Sequence, residues 1–124
     1  MTLNHTRVAG RRKKGRLVAY EVALEAAAQV CRLSEKLPPA LKSQQDQAVR
    51  AAARMPLAIA EGQGRVGRDA QHLYRVAYSS ARETTAVIEL LVALHAIDAT
   101  AGDDALDRLD RVQALLWGLM RRVA

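Results

Sequence analysis

A proline, a glutamate and two glycines interrupt an otherwise apolar helical segment at residues 54–65. Pro56 cannot donate a backbone hydrogen bond, and its ring clashes with the carbonyl four residues earlier, so a helix through it must kink. Glu61 follows an apolar run, where an unpaired charge would be costly, which predicts a hydrogen-bonding partner for its carboxylate. Gly62 and Gly64 supply the backbone freedom to end the helix. The segment therefore predicts a kinked helix end that serves either the architecture or a site.

Alanine rather than aromatic residues supplies much of the apolar content. Half of the 124 residues are hydrophobic, yet only Trp117 and three tyrosines are aromatic. Alanine has the highest helix propensity, and strand-like runs of β-branched and aromatic residues are missing. The length accommodates one domain with a sizeable core but not two. The chain is therefore predicted to be a single all-α domain.

Cysteine content and hydropathy bear on location. The single cysteine, Cys31, has no partner for an intrachain disulfide, which fits a reducing compartment. No apolar run approaches the roughly 20 residues of a membrane span, and the basic N-terminus lacks the apolar core of a secretory signal. A cytoplasmic location is expected.

The net charge of +6 is concentrated at the N-terminus. Residues 1–16 contain six basic residues and no acidic one, so residues 17–124 carry 13 basic and 13 acidic residues. We expect residues 1–16 to form a disordered basic arm and residues 17–124 to form the folded domain. Within the domain, arginines dominate residues 50–82 and aspartates dominate residues 98–110. The domain is thus predicted to be electrically asymmetric.

Apolar residues spaced three and four positions apart predict four helices. Three are expected at residues 17–35, 40–61 and 68–97, and the fourth after an N-cap at Asp103 or Asp104. Leu37 precedes Pro38 and ends the first helix, because a residue before proline avoids the α region. Short turns between such helices predict an antiparallel up-down-up-down four-helix bundle.

The fourth predicted helix is apolar beyond its core face. Leu115 and Trp117 lie beside or opposite the seam that would face the core. This second apolar surface can be a broad core edge or an interface between subunits, and we prefer the interface. Leu115 and Trp117 are therefore predicted to form part of an oligomer interface.

Two motifs are more specific than the helical pattern. The first reads Pro56-x-Ala58-Ile59-Ala60-Glu61-Gly62 and is followed by Arg65, and the second reads Ala77-x-Ser79-Ser80-x-x-Glu83. They resemble the Pro-Ala-Asn-Ile-Ala-Glu-Gly and Ala-x-Gly-Ser-x-x-Glu motifs of small bacterial proteins related to those encoded by intervening sequences in 23S ribosomal RNA genes. That family has also been labelled ribosomal protein S23-like. The match covers about residues 17–97, with Ala58 in place of an asparagine and Ser79 in place of a glycine.

The resemblance implies a left-handed four-helix bundle that assembles into a ring, with a pentamer as the expected form. It implies no established enzymatic activity, and nucleic-acid binding is the usual proposal for such proteins. A related bundle is the accessory protein of reverse transcriptases in diversity-generating retroelements. The residues that carry the two motifs are expected to be structural: Pro56, Glu61, Gly62, Ser80 and Glu83.

Glu61 and Glu83 could also be a catalytic pair, since acid–base chemistry uses two carboxyl groups whose pKa values are pushed apart. No nucleophile, metal-ligand cluster or phosphate loop accompanies them in the sequence. We prefer the interpretation that each accepts hydrogen bonds from nearby Ser, Tyr or Arg side chains. Arg65, Arg75 and Arg82 are the expected cationic partners. The chain is not expected to be an enzyme.

A metal or nucleotide cofactor is not expected either. His72 and His95 lie about 35 Å apart on one predicted helix, so they cannot share a metal ion within one subunit. Gly62-x-Gly64-x-x-Gly67 follows a helix rather than a strand, which is the wrong context for a dinucleotide site.

The basic arm is the strongest functional signal outside the two motifs. Its side chains are of the kind that binds phosphates by charge and counterion release: Arg11, Arg12, Lys13, Lys14 and Arg16. A solubilising tail is the alternative interpretation. The arm has no aromatic residue for base stacking, so any binding is expected to be directed at the nucleic-acid backbone.

The leading hypothesis is therefore a non-enzymatic oligomer that binds nucleic acid, with RNA as the expected type. The arm would act together with Arg65 and Arg68 in the loop after the second helix. A ring would present several arms and raise avidity. The alternative is a protein-interaction scaffold or an accessory subunit, for example of a reverse transcriptase, with no nucleic-acid role of its own.

Overall fold

The computed structural model describes residues 17–123, which fold into four long helices. A single turn of 3-10 helix joins the first two, and the helices are α1 (Val18–Ser34), α2 (Lys42–Gln63), α3 (Gly67–Ala93) and α4 (Ala99–Arg122). Each helix packs against its neighbours in the chain, and α1 also packs against α4. Short connections make successive helices antiparallel. The predicted all-α four-helix bundle is confirmed.

The bundle core is built largely from alanine, which contributes buried positions on all four helices. Alanine on facing helices lets their axes come close, and larger side chains fill the gaps that remain. The largest fully buried aliphatic side chains are Met55, Ile59, Ile88, Leu91, Leu109 and Leu116. Among residues 17–123, none of the helices is apolar over a length that could cross a bilayer.

The start of α4 differs from the prediction. Asp98 is the N-cap, and its side chain accepts a hydrogen bond of 3.0 Å from the backbone N–H of Ala101. Asp103 and Asp104, the predicted caps, are exposed positions inside the helix. Three aspartates within seven residues offered equivalent capping signals in the sequence, and only the folded turn distinguishes them.

We expect Asp98→Ala to lower the free energy of unfolding by about 1 kcal/mol, because α4 loses its capping hydrogen bond. Asp103→Ala is the matched control, since it removes the same charge from an exposed position that makes no such bond. Its effect should stay within about 0.5 kcal/mol. Denaturant unfolding measures both variants, and equal losses would mean that charge, rather than the capping bond, stabilises α4.

The end of α2 also differs from the prediction. The helix continues through Pro56, which is buried, and its last residue is Gln63. Gly62 lies inside the helix, and a Cβ placed on it would come within 2.5 Å of a ring carbon of Tyr74 on α3. Only Gly64 follows the helix end, so the expectation that both glycines end the helix is wrong for Gly62. Gly62 instead lets α2 approach the Tyr74 ring.

Candidate nucleic-acid interface

The antiparallel order brings several arginines to one end of the bundle, here called the basic end. These arginines occupy the α2–α3 loop, the first turn of α3 and the last turn of α4: Arg65, Arg68, Arg121 and Arg122. The side-chain amide of Gln71, near the start of α3, donates a 3.2 Å hydrogen bond to the carbonyl of Met120 on α4. The start of α3 and the end of α4 are thereby joined.

The beginning of α1 lies at the same end. Arg108 of α4 donates a 3.1 Å hydrogen bond to the side chain of Gln29 on α1, which fixes the register of these antiparallel helices. Leu17 and Met120 each lie 12 residues beyond this contact, about 18 Å along their helices. The chain therefore enters the bundle at the basic end.

The predicted arm itself, with Arg11, Arg12, Lys13, Lys14 and Arg16, lies outside the described residues. At the opposite end of the bundle, the start of α4 carries Asp98, Asp103 and Asp104. The aspartates at the start of α4 and the arginines of the basic end therefore lie at opposite ends of the bundle, although Arg32, Lys36 and Lys42 also lie at the aspartate end.

Arg65 in the α2–α3 loop and Arg68 in the first turn of α3 differ in availability. Arg65 Nη2 lies 3.2 Å from Glu61 Oε2, and both side chains are about half exposed (48% and 55%). An exposed ion pair of this kind contributes little stability, so Arg65 can exchange Glu61 for a phosphate at small cost. Arg68 is exposed, and no carboxylate of residues 17–123 lies in ion-pair contact with it.

Arg68 begins a row of arginines on α3 that the sequence analysis missed. Arg75 and Arg82 follow it at seven-residue intervals, and all three are exposed. Seven residues return an α-helix to within about 20° of the same direction, so the three Cα atoms lie in one row with steps of about 10 Å. The prediction that Arg75 and Arg82 pair with the two motif glutamates is wrong, because neither forms an ion pair within the described part of the chain. The seven-residue spacing of Arg68, Arg75 and Arg82 is visible in the sequence and could have predicted this row.

Glu61 and Glu83 are not a pair of catalytic carboxylates. Glu83 accepts a 3.3 Å hydrogen bond from Gln47 on α2, and Gln47 lies 14 residues, or about 21 Å, from Glu61 along that helix. Both glutamates are exposed, so the burial cost expected for Glu61 does not arise. The predicted arginine donor is confirmed for Glu61, whereas the donor at Glu83 is a glutamine rather than Ser, Tyr or Arg.

The remaining motif residues lie in the bundle interior. Pro56, Gly62 and Ser80 are buried. The backbone carbonyl of Ser80 accepts a 2.7 Å hydrogen bond from the Thr84 hydroxyl. The first and second motifs therefore place small or rigid residues where α2 and α3 meet, and their glutamates point to the surface.

Trp117 lies in an open groove between α3 and α4. Its side chain is 54% exposed, and its ring centroid is 6.1 Å from that of Tyr78, with the ring planes inclined by 47°. The groove has a volume of about 440 Å³, and the charged residues that line it are Arg75 and Arg121. Among residues 17–123, no carboxylate lines it. This groove joins two aromatic rings and two arginines next to the basic end.

Leu115 and Trp117 lie on opposite flanks of α4. Two residues apart on an α-helix correspond to directions about 160° apart. Leu115 packs, partly buried, against the core, whereas Trp117 faces the groove. The two side chains therefore belong to different surfaces of α4, and their predicted place in an oligomer interface stays a prediction.

Burial affects the chemistry of two other side chains. It raises the pKa of the Cys31 thiol, which nearby Arg32 lowers and Glu35 raises further, so the reactive thiolate is disfavoured. Burial also raises the pKa of Tyr74, and the charge of Arg122 opposes that shift. In the part of the chain that the structure describes, no three His, Cys, Asp or Glu side chains are placed to hold a metal ion.

Comparison with known proteins gives one family and one related fold. The model of a family described as 23S rRNA-intervening sequence protein matches residues 15–118. The crystal structure of a protein of unknown function from the S23 ribosomal protein family of Bacteroides thetaiotaomicron superposes with a TM-score of 0.73 at 19% identity. The alignment covers 83% of this chain and 98% of that chain. At such identity the likeness concerns the fold alone. The comparison with curated proteins gives no match.

Proposed function

Because the chain belongs to the 23S rRNA-intervening sequence protein family, we propose that it is a non-enzymatic protein that binds RNA through phosphate contacts. The observation that supports this most is the common position of Leu17, Arg65 and Arg68 at the basic end. Residues 1–16 carry six basic residues in the sequence and directly precede Leu17, so the proposal adds their charge to that of the exposed arginines. Such a surface matches the charge pattern of nucleic-acid binding proteins.

Phosphate contacts account for how this surface would work. Each Lys or Arg that neutralises a phosphate releases condensed counterions, and this release carries no sequence information. The row formed by Arg68, Arg75 and Arg82 extends the surface from the basic end along α3. The N-cap residue of α3, Val66, offers no side-chain oxygen, so backbone N–H groups of the first turn remain available to an anion. Asp69 in the same turn partly offsets their positive potential.

Salt dependence tests the proposal. The affinity for a mixed-sequence single-stranded RNA is expected to fall linearly with salt concentration on a log–log plot. The slope of this plot should be about 0.7 for each phosphate contact. Arg68→Gln should lower that slope by about 0.7, the contribution of one phosphate contact on a single strand. Arg32→Gln is the matched control, because Arg32 is exposed at the opposite end of the bundle, in the last turn of α1. No binding at low salt, or affinity that does not change with salt, would contradict the proposal.

We also expect the protein to form a homo-oligomeric ring, which would repeat the basic end and raise avidity. The intact mass at micromolar concentration should then be a multiple of the 13.5 kDa chain, with five copies as the expected number. A monomer under these conditions would contradict the ring. RNA would then have to bind to the basic end of one chain, without the gain in avidity.

A second candidate function is a protein-interaction scaffold. A groove of about 460 Å³ between α2 and α3 contains Leu57, which is 67% exposed, and is flanked by Arg50, Arg54 and Glu61. Amphipathic helices of partner proteins bind by laying their apolar face into a hydrophobic groove, and Leu57, Leu73 and Val76 give this groove an apolar floor flanked by charges. Purification after nuclease treatment distinguishes the candidates. One stoichiometric protein partner that Leu57→Asp removes would favour the scaffold over RNA binding.

A further inference from the structure

We propose that the groove between α3 and α4 binds single-stranded RNA by stacking a base on Trp117. The proposal rests on the RNA binding proposed above and adds a site to it. It also goes beyond the expectation of backbone contacts alone, which was based on the absence of aromatic residues from the arm. The groove lies in the folded domain, where two helices bring together residues that are 39 positions apart in the sequence, Tyr78 and Trp117.

The exposed indole supplies the stacking surface. A tryptophan that merely completes a core would be covered, yet Trp117 is 54% exposed. Tyr78 meets it at 47° rather than in parallel, so the two rings form a wedge and part of the indole surface stays free. Met120 and Gln71 line the same groove, and the hydrogen bond from Gln71 to the Met120 carbonyl joins α3 to α4 there. The wedge is thus held by both helices.

The charges around the groove favour an anionic occupant. Arg75 on α3 and Arg121 on α4 are both exposed, and neither forms an ion pair in residues 17–123. Because none of the described residues that line the groove is a carboxylate, a phosphate next to the stacked base would meet two guanidinium groups that form no ion pair. Arg75 is also the middle member of the arginine row on α3, so a strand in the groove would continue onto that row.

The expected ligand is a single strand rather than a duplex. A base can stack on a protein ring only when it is not already stacked within a helix, and every base has a suitable face. Binding should therefore be tolerant of sequence but selective for single strands. Duplex RNA should still bind through phosphate contacts elsewhere on the basic surface, without reaching Trp117.

Intrinsic fluorescence provides a direct test, because Trp117 is the only tryptophan in the chain. The full-length protein is titrated with a single-stranded RNA of roughly 12 nucleotides and with the blunt duplex of the same sequence. A stacked base quenches indole emission on contact. The single strand should quench with a saturating isotherm that matches binding measured by anisotropy of a labelled RNA, and the duplex should bind with little quenching.

Substitutions separate stacking from charge. Trp117→Leu should weaken single-strand binding by about tenfold and leave duplex binding unchanged, whereas Trp117→Phe should retain most of the affinity. Leu57→Ala is the matched control for an exposed apolar side chain on a different helix pair. Arg75→Gln and Arg121→Gln should each lower the single-strand salt slope by about 0.7, and Arg111→Gln, an exposed position outside the groove, should lower it less.

The outcomes distinguish this proposal from the one on which it rests. No binding of either RNA at low salt overturns RNA binding itself. Salt-dependent binding without quenching, and with equal affinity for wild type and Trp117→Leu, overturns the stacking site and leaves RNA binding standing. If Trp117→Leu lowers the intact mass of the assembly, Trp117 is a subunit contact and the stacking site is overturned as well. Thermal unfolding should show that every variant folds with a midpoint close to that of the wild type, because all the substituted side chains are exposed.

Discussion

Replacing Gly62 with alanine is expected to lower the free energy of unfolding by about 2 kcal/mol. The new Cβ would lie 2.5 Å and 2.9 Å from two ring carbons of Tyr74. Tyr74 is 4% exposed, so its ring has no free space to enter, and α2 and α3 must separate locally. Overpacking of this kind costs about 1–3 kcal/mol, which exceeds the 0.5–1 kcal/mol that alanine gains over glycine in a helix.

Gly118→Ala is the matched control, because it makes the same change inside α4 where a Cβ meets nothing within 4 Å. It should raise the free energy of unfolding by about 0.5–1 kcal/mol, so the two substitutions should have opposite signs. Denaturant unfolding with a common m-value measures both. In a Tyr74→Leu background the Gly62→Ala cost should shrink, because a flexible side chain can move aside. An equal cost in both backgrounds would show that the Tyr74 ring is not the cause.

The fold was predictable because its signals are local. Helix propensity, three-four spacing and the proline after Leu37 each act within a few residues, and they placed α1 within one residue at either end. Boundaries that depend on competing signals were less predictable. Asp98 and Asp103 are equally good caps by residue type, and the fold selects between them through the turn that ends α3.

The candidate site was predictable only in part, because it depends on contacts between helices. The sequence located the basic loop, but the register of α3 against α4 decides that Trp117 meets Tyr78. The register of α2 against α3 likewise pairs Glu83 with Gln47, and Arg75 forms no ion pair with either motif glutamate. Periodicity gives the direction of a side chain on its own helix, and it does not give the level at which a neighbouring helix faces it. Gly62 is an example, since its contact with Tyr74 is invisible until α2 and α3 are packed.

Deleting residues 1–16 is expected to weaken RNA binding by on the order of 100-fold or more at moderate salt. The deletion removes all of the net charge of +6, because residues 17–124 contain 13 basic and 13 acidic residues. A neutral domain exerts little long-range attraction on RNA, and only local contacts at the basic end and along the α3 row remain. The log–log salt slope should fall by up to about 4 if all six cations contact phosphates of a single strand, at about 0.7 for each contact.

Two variants of the arm separate charge from sequence. Scrambling residues 1–16 keeps their composition and should retain both the affinity and the salt slope, because counterion release depends on charge and not on order. Changing the six basic residues of the arm to glutamine keeps its length and should behave like the deletion. The number of subunits in the assembly, measured from its intact mass, must be the same for every variant. Otherwise a loss of avidity could be mistaken for a loss of phosphate contacts. A scrambled arm that fails to bind would contradict binding by charge alone, since the order of the residues would then matter.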